Sequence, residues 1–396
     1  MKYIVLVPDG MADLPLEQLG GKTPLEVAQT PYMDSVVQKG LLAQAVTIPP
    51  GLSPASDVAN LSIMGYDPQK YYTGRAPLEA AYMGVDLPKD AIAFRCNLVT
   101  VSDEKMADYS AGHISSKEAA VFISELNSSL GTDLIKFYPG VSYRHILVLR
   151  GLNVEDLGGV LCVPPHDILN QPIKRFLPNG KGALVPLELM KRSREILPLQ
   201  EINKVRVDLG ENPANMIWLW GQGQKPFLPS FKEKFALTGA VISAVDLIKG
   251  IGKLAGLDVI NVEGATGYYD TDYLGKAKAG VRALETKDFL IIHVEAPDEA
   301  GHNGDLRMKI ATIERFDKYV VGTILEHFKD RKDLRLMILP DHATPIELRK
   351  HTAAKICVAM MGQGIAHNGF NAFSEAEAKK SETFFEGHQL MEVLLR

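Results

Sequence analysis

The stretch "LRLMILPDHATP", residues 334 to 345, sets an apolar run of strand length directly against an aspartate and a histidine. Taken alone, Asp341 and His342 read as a turn signal or a helix cap, both common where a strand ends. Their meaning changes if other strands end the same way, because in open α/β sheets the reactive crevice lies beyond the carboxyl ends of the strands. The run "YIVLV" (3 to 7) leads into "PDG" and Asp9, and "FLIIHV" (289 to 294) leads into "EAPDEAGH", with Asp298 and His302. Three strand candidates therefore deliver an acid to one edge.

These runs, together with "DVINV" (258 to 262) and "KICVAM" (355 to 360), are continuously apolar, the pattern of strands buried on both faces of a parallel sheet flanked by helices. Between two of them, "RMKIATIERFDKYVVGTILEHF" repeats Ile310, Ile313, Phe316, Val320, Ile324 and Phe328 at helical spacing. Strand, helix and strand then form the right-handed crossover unit of an α/β fold. Over residues 86–235 the texture differs: shorter strand candidates ("AIAFRCNLVTV", "RHILVLRG", "IWLWGQG") alternate with proline-rich connections such as "VPPHDILNQP". The prediction is an α/β domain of mainly parallel strands from residues 1–85 and 236–396, interrupted by a smaller α+β domain at 86–235.

With 46% hydrophobic and 23% charged residues over 396 positions, the chain has a globular composition and room for a sizeable core. A net charge of -5 gives no general attraction to nucleic acid or to an anionic membrane surface, so any phosphate contacts must be local. Three cysteines without a CxxC pair exclude a disulfide framework and a thiolate zinc site. "MKYIVLVPDG" breaks at Pro8 too early for a signal peptide, and no apolar stretch is long enough to span a bilayer. A cytoplasmic protein is expected.

Three acids accompanied by imidazoles would crowd negative charge at high cost unless cations neutralised it, and divalent metal is the simplest remedy. Asp298 and His302 are four residues apart, which on a helix puts both on one face, and His351 can supply a further imidazole. Oxygen and nitrogen donors without thiolate favour Mn²⁺ or Zn²⁺ over Mg²⁺. Two such ions can clamp the attacking and leaving oxygens of a phosphoryl group. The candidate nucleophile is Ser56 in "GLSPASDVANLSIMGYDP" (51 to 68), expected as the N-cap of a helix, where exposed amides favour an anion. A serine hydroxyl needs a base or a metal to activate it.

The order of Asp9, "SDVANLSIMGYDP", "YYTGRAPLEAA", "FRCNLVTV", "EAPDEAGHNGD", "PDHATP" and His351 resembles the archaeal-type, cofactor-independent phosphoglycerate mutases of the alkaline phosphatase superfamily, through nearly the whole chain. That resemblance implies two divalent ions, one held by Asp9, Ser56, Asp341 and His342 and the other by Asp298, His302 and His351. It also implies a small phosphorylated substrate, phosphorylation of Ser56 during turnover, and an inserted domain that closes over the substrate. Arg75, Arg95 and Arg144 are the candidate cations for the substrate's phosphate and carboxylate, with His113 as a proton carrier. The sequence departs from the family pattern at Ala55 and Ala76, where glycine is usual, and after His351, where Asp-Pro-Val-Pro is replaced by "TAAK". The segment "MADYSAGHIS" is similar to a bacterial branch proposed to be a homoserine kinase. Besides the mutase, a homoserine kinase-like phosphotransferase and a metal-dependent phosphomonoesterase are the alternatives, because the acceptor is set by the inserted domain.

Overall fold

A computed structural model describes all 396 residues, Met1–Arg396. The chain divides into two compact units, Met1–Tyr72 with Leu228–Arg396, and Thr73–Phe227. The first unit opens with β1 (Lys2–Pro8) and β2 (Gly40–Val46). The second holds β3 (Ala91–Ser102), β4 (Lys105–Asp108), β5 (Ile135–Tyr138), β6 (Arg144–Arg150) and β7 (Met216–Gly223). The first unit resumes with β8 (Gly239–Ile242), β9 (Asp258–Val259), β10 (Phe289–Val294), β11 (Leu334–Ile338), β12 (Ile356–Gly362) and β13 (Phe384–Glu386).

In the first unit, eight strands form one sheet in the order β13-β2-β12-β11-β1-β10-β8-β9. β1 lies between β10 and β11, parallel to both, with Pro8 opposite Val294 and Leu6 opposite Ile338. That register brings the residues following all three strands to one edge. Ile4, Val5, Leu6 and Val7 are wholly buried, as expected for a strand covered on both faces. Each such side chain stabilises the fold by about 1.5–3 kcal/mol before entropy is counted. The crossover helix begins at Leu306, capped by Asp305, and runs to Phe328 through a π-helical segment at Phe316–Val321. Its predicted stripe is buried, with Ile313, Phe316, Val320, Ile324 and Phe328 in the main core and Ile310 packed partly against it.

Two strands differ from expectation. β12, counted among the parallel strands, runs antiparallel to both β11 and β2. No crossover helix separates it from β11, so the chain simply reverses. "DVINV" contributes only the two-residue β9, an edge strand that pairs at Asp258 and Val259.

The second unit is an antiparallel sheet, β4-β3-β6-β5, with β7 also paired to β3. Its core includes Phe94, Phe122, Phe137, Leu147 and Trp218. The unit begins at Thr73 and ends at Phe227, whereas the sequence texture predicts limits at 86 and 235. At one end, Ala76 and Ala80 of the helix Arg75–Met83 pack on Ala91 and Ala93 of β3 and on Ile146 and Val148 of β6. At the other, Phe231 lies 4.5 Å from Phe289 of β10, ring centre to ring centre, and so belongs to the first unit. No helix of the chain is long and apolar enough to cross a membrane.

Candidate metal centre

β1 ends in a turn at Gly10, which has φ of 58°, and a Cβ there would collide with Asp298 Oδ1. Only glycine leaves room at this turn for the Asp298 carboxylate. The backbone N–H of Asp9 donates to Val294 O at 3.0 Å, tying the ends of β1 and β10. Asp341 Oδ1 accepts from the Gly10 and His342 N–H groups at 3.0 and 2.9 Å, and its Oδ2 accepts from Asn60 Nδ2 at 2.9 Å. Beneath them the buried Lys309 ammonium donates to Gly10 O at 2.7 Å and Thr344 O at 2.8 Å, with Asp13 as its counter-ion at 3.4 Å. The loops after β1 and β11 are thereby held at fixed separation.

On this base the acids and imidazoles converge. His342 Nε2 is 3.5 Å from both Asp9 Oδ1 and Asp341 Oδ2, and 3.1 Å from Ser56 Oγ. Asp298 Oδ2 is 3.2 Å from His302 Nε2, and its Oδ1 is 3.3 Å from His351 Nε2. The two imidazoles themselves meet at 2.9 Å, Nε2 to Nε2. All seven side chains singled out from the sequence as metal ligands are thus brought together. Asp298 and His302 share the short helix Ala296–Asn303, as their spacing required.

Ser56 differs in detail. Ala55 occupies the N-cap position without a side-chain bond, and Ser56 is the first helical residue of Ser56–Ile63. Its hydroxyl is therefore free of capping and is hydrogen-bonded to His342 Nε2 instead. Asn60, one turn later, bonds both Ser56 O and Asp341 at 2.9 Å, a supporting role that the sequence reading missed.

A second omission is larger. His293, the one polar residue inside the β10 run, sits with Nε2 3.4 Å from Asp9 Oδ2 and 4.0 Å from Asp341 Oδ2. Ligand-capable atoms of Asp9, His293 and Asp341 lie within 4.8 Å of one another, as do those of Asp298, His342 and His351. The geometry thus pairs His342 with either group, where the family resemblance assigned it to the Asp9 set. The signal available in the sequence was an imidazole one residue from the carboxyl end of an apolar strand.

The electrostatics are those of a cation site. Burial, then the charges of Asp341 and Asp298, push the Asp9 carboxyl well above the usual range. Asp341 is held below it, against burial, by His342 and His293, and Asp298 likewise by His351 and His302. Burial pulls His342 down to about 4, whereas Asp298 outweighs burial at His302 and lifts it to about 9. Asp9 Oδ1 and His293 Nε2 are buried without a hydrogen-bond partner, a costly arrangement that divalent ions would relieve. A donor set of carboxylate, imidazole and hydroxyl, with Cys96, Cys162 and Cys357 outside it, fits divalent cations.

The remaining candidates lie in the second unit. Arg95 Nε is 2.8 Å from Glu79 Oε2 and Arg75 Nε is 3.1 Å from Glu79 Oε1. Both guanidinium groups lie over the Trp220 ring, at 4.3 and 5.7 Å. Burial lowers Arg95 to about 10, and Arg95 with Arg75 hold the buried Glu79 below its usual range despite desolvation. Arg144 is exposed and lies 5.7 Å from the Tyr143 ring, against whose edge His113 also packs, 6.3 Å between centres. His113 is an exposed turn residue with φ of 50°.

Fold and site together define the class: an α/β protein whose parallel strands end in a carboxylate and imidazole cluster suited to divalent cations, with a serine hydroxyl at its rim. The comparisons with known proteins narrow it. A family model described as 2,3-bisphosphoglycerate-independent phosphoglycerate mutase matches residues 38–203. The protein named 2,3-bisphosphoglycerate-independent phosphoglycerate mutase in Methanosarcina barkeri is 50% identical over 383 residues, covering 96% of this chain and 95% of its own. A protein of the same name in Methanothrix thermoacetophila is 49% identical over the full length of both. Among solved structures, a Pyrococcus horikoshii protein superposes with a TM-score of 0.83 at 31% identity, covering 100% of this chain and 96% of that one. The chain belongs to the 2,3-bisphosphoglycerate-independent phosphoglycerate mutase family.

Proposed function

We propose that this protein interconverts 2-phosphoglycerate and 3-phosphoglycerate through a phosphoserine at Ser56. The observation that carries the reading is the position of the Ser56 hydroxyl, 3.1 Å from His342 Nε2 at the rim of the acidic cluster. Asp9, Ser56, Asp341 and His342 would hold one divalent ion, and Asp298, His302 and His351 the other. Bound there, such ions supply an activated hydroxyl and charge neutralisation for the transferring phosphoryl oxygens. Mn²⁺ suits this donor set best, with Zn²⁺ and Mg²⁺ as the alternatives.

Ser56 Oγ loses its proton and bonds to phosphorus, while the bond from phosphorus to the substrate's C2 oxygen breaks and that oxygen takes a proton. The glycerate's C3 hydroxyl then attacks the phosphoserine, and the Ser56 oxygen leaves and is reprotonated. Water must be kept out between the two steps, since hydrolysis of phosphoserine would turn the mutase into a phosphatase. We assign substrate binding to the second unit: Arg75, Arg95 and Arg144 take the carboxylate and phosphate oxygens, for which planar guanidinium forks are well matched. His113, beside Tyr143, is the proton carrier of this reading. A cytoplasmic setting accords with three free cysteines.

The test is to load the protein with Mn²⁺, supply 3-phosphoglycerate without 2,3-bisphosphoglycerate, and follow the phosphorus resonances. Appearance of 2-phosphoglycerate is expected. Release of inorganic phosphate alone would make the protein a hydrolase, and transfer from ATP to homoserine without isomerisation would make it a kinase.

A further inference from the structure

His293 is the imidazole of the acidic cluster that the two-ion assignment above leaves out. Its ring is wholly buried, with Glu295 on one side and Asp9 and Asp341 on the other. Nδ1 lies 3.1 Å from Glu295 Oε1. That carboxylate is saturated: Ser243 Oγ donates at 2.7 Å, the Ala244 and Val245 N–H groups at 3.2 Å, and the Lys276 ammonium at 3.1 Å. Lys276, itself wholly buried, also donates to His293 O at 3.0 Å. A carboxylate so supplied can only accept, so Nδ1 carries the ring proton and Nε2 is the atom presented to Asp9 and Asp341. Either a proton or a lone pair on Nε2 leaves this nitrogen without a hydrogen-bond partner in a buried position. A cation would satisfy it and both carboxylates at once.

Two other imidazoles of the cluster are wired in the same manner. His302 Nδ1 faces the Arg349 carbonyl at 3.0 Å, an oxygen that can only accept. Thr344 Oγ1 gives its single proton to Asp298, so at 3.2 Å it accepts from His342 Nδ1. In each case an oxygen holds Nδ1–H and turns Nε2 inward, the arrangement by which proteins orient histidine metal ligands.

We propose that His293 Nε2 is a direct ligand of the ion held by Asp9, Ser56, Asp341 and His342, oriented for that role by the buried Glu295–Lys276 pair. The proposal rests on the two-metal reading above. Donors about 2.1 Å from a common ion lie roughly 3.0–4.2 Å from one another. The separations of 3.4 and 4.0 Å for His293, 3.5 Å for both His342–carboxylate pairs, and 3.1 Å for Ser56 to His342 all fall in that window. Five protein donors, two of them imidazole, would select Mn²⁺ or Zn²⁺ over Mg²⁺ at this site.

The experiment loads the full-length protein with Co²⁺ and counts the strongly shifted, solvent-exchangeable imidazole N–H resonances in its proton NMR spectrum. We expect four, from His293, His302, His342 and His351, and the loss of one in His293→Gln, with Co²⁺ affinity at one site about tenfold or more weaker. Affinity alone would not separate a ligand from a residue that merely bonds one, so the resonance count decides. Three shifted resonances in the wild-type protein, or a variant spectrum identical to wild type, overturn the proposal and leave His293 as a buried imidazole held by Glu295 alone. The wild-type count suffices should the variant fail to fold. Failure of the two-metal reading has its own signature, a stoichiometry below two Co²⁺ per chain.

Discussion

The first unit gathers Asp9, Asp298 and Asp341 around four imidazoles, whereas the second gathers Arg75, Arg95 and Arg144 near a single carboxylate, Glu79. The acidic cluster is largely withdrawn from water, whereas in the basic one Arg95 is buried and Arg144 exposed, and the two meet the cost of burial differently. In the acidic cluster the Asp9 carboxyl is driven well above its usual range, chiefly by burial and then by its acidic neighbours, a sign that the charges outnumber their partners. In the basic cluster Glu79 is held below its range by Arg95 and Arg75, and the Trp220 face covers Arg95. The first arrangement calls for added cations. The second is balanced within itself apart from surplus positive charge, which an anionic ligand would meet.

The sharpest way to break the contrast is at the acidic rim. Ser56→Ala should abolish mutase turnover by at least about 10⁴-fold, as expected when a nucleophile is removed. Its circular dichroism and melting temperature should stay near wild type, because the hydroxyl caps no helix. A variant that keeps measurable isomerisation would refute the phosphoserine route.

Removing the metal ions comes next. Chelation should stop turnover and lower stability by about 4 kcal/mol for each ion that had been present at a thousand times its dissociation constant. In the chelated protein Asp9→Asn should raise stability by about 1–3 kcal/mol, since it removes a buried charge among like charges, while in the metal-loaded protein it should weaken metal binding. Thermal melts with and without Mn²⁺ check this reversal of sign. The basic cluster should show no such reversal: Arg95→Ala should shift the melting temperature in the same direction with and without Mn²⁺, and in the metal-loaded protein should cost about 2–5 kcal/mol in kcat/KM, mostly through KM.

A smaller effect sharpens the comparison within the first unit. Burial lifts the Glu375 carboxyl to about 7, although Thr23 Oγ1 and the Asp13 N–H donate to it at 2.7 and 3.2 Å. The unfolded chain releases this proton near pH 4.5 and the folded chain near 7. Between those values the folded state binds more protons, so stability falls as pH rises through this window and stays lower above it. Glu375→Gln should flatten that slope and add about 1–3 kcal/mol at pH 8, with no gain at pH 4. Urea denaturation across pH measures it, and an unchanged slope would refute the assignment.

Legibility followed chain geometry. Asp9, Asp298 and Asp341 could be read because each follows an unbroken apolar run, and Asp298 with His302 because a four-residue spacing fixes one helical face. His293 could not. It lies inside such a run, and its importance comes from the parallel register that sets it opposite Val7, next to the end of β1. In the second unit, the pairing of β3 with β7 places Trp220 opposite Arg95, and nothing in the 124 intervening residues announces it.

By itself, then, the amino-acid order determined the α/β class, the edge of the sheet on which the acids and imidazoles gather, and the donor types present there, since these follow from periodicity and from what ends each strand. Tertiary structure alone decided how the charges are balanced. Which imidazole meets which carboxylate, and which guanidinium has an acid beside it, depends on strand register and on contacts hundreds of residues apart in the chain, and burial then sets the cost of every unpaired charge.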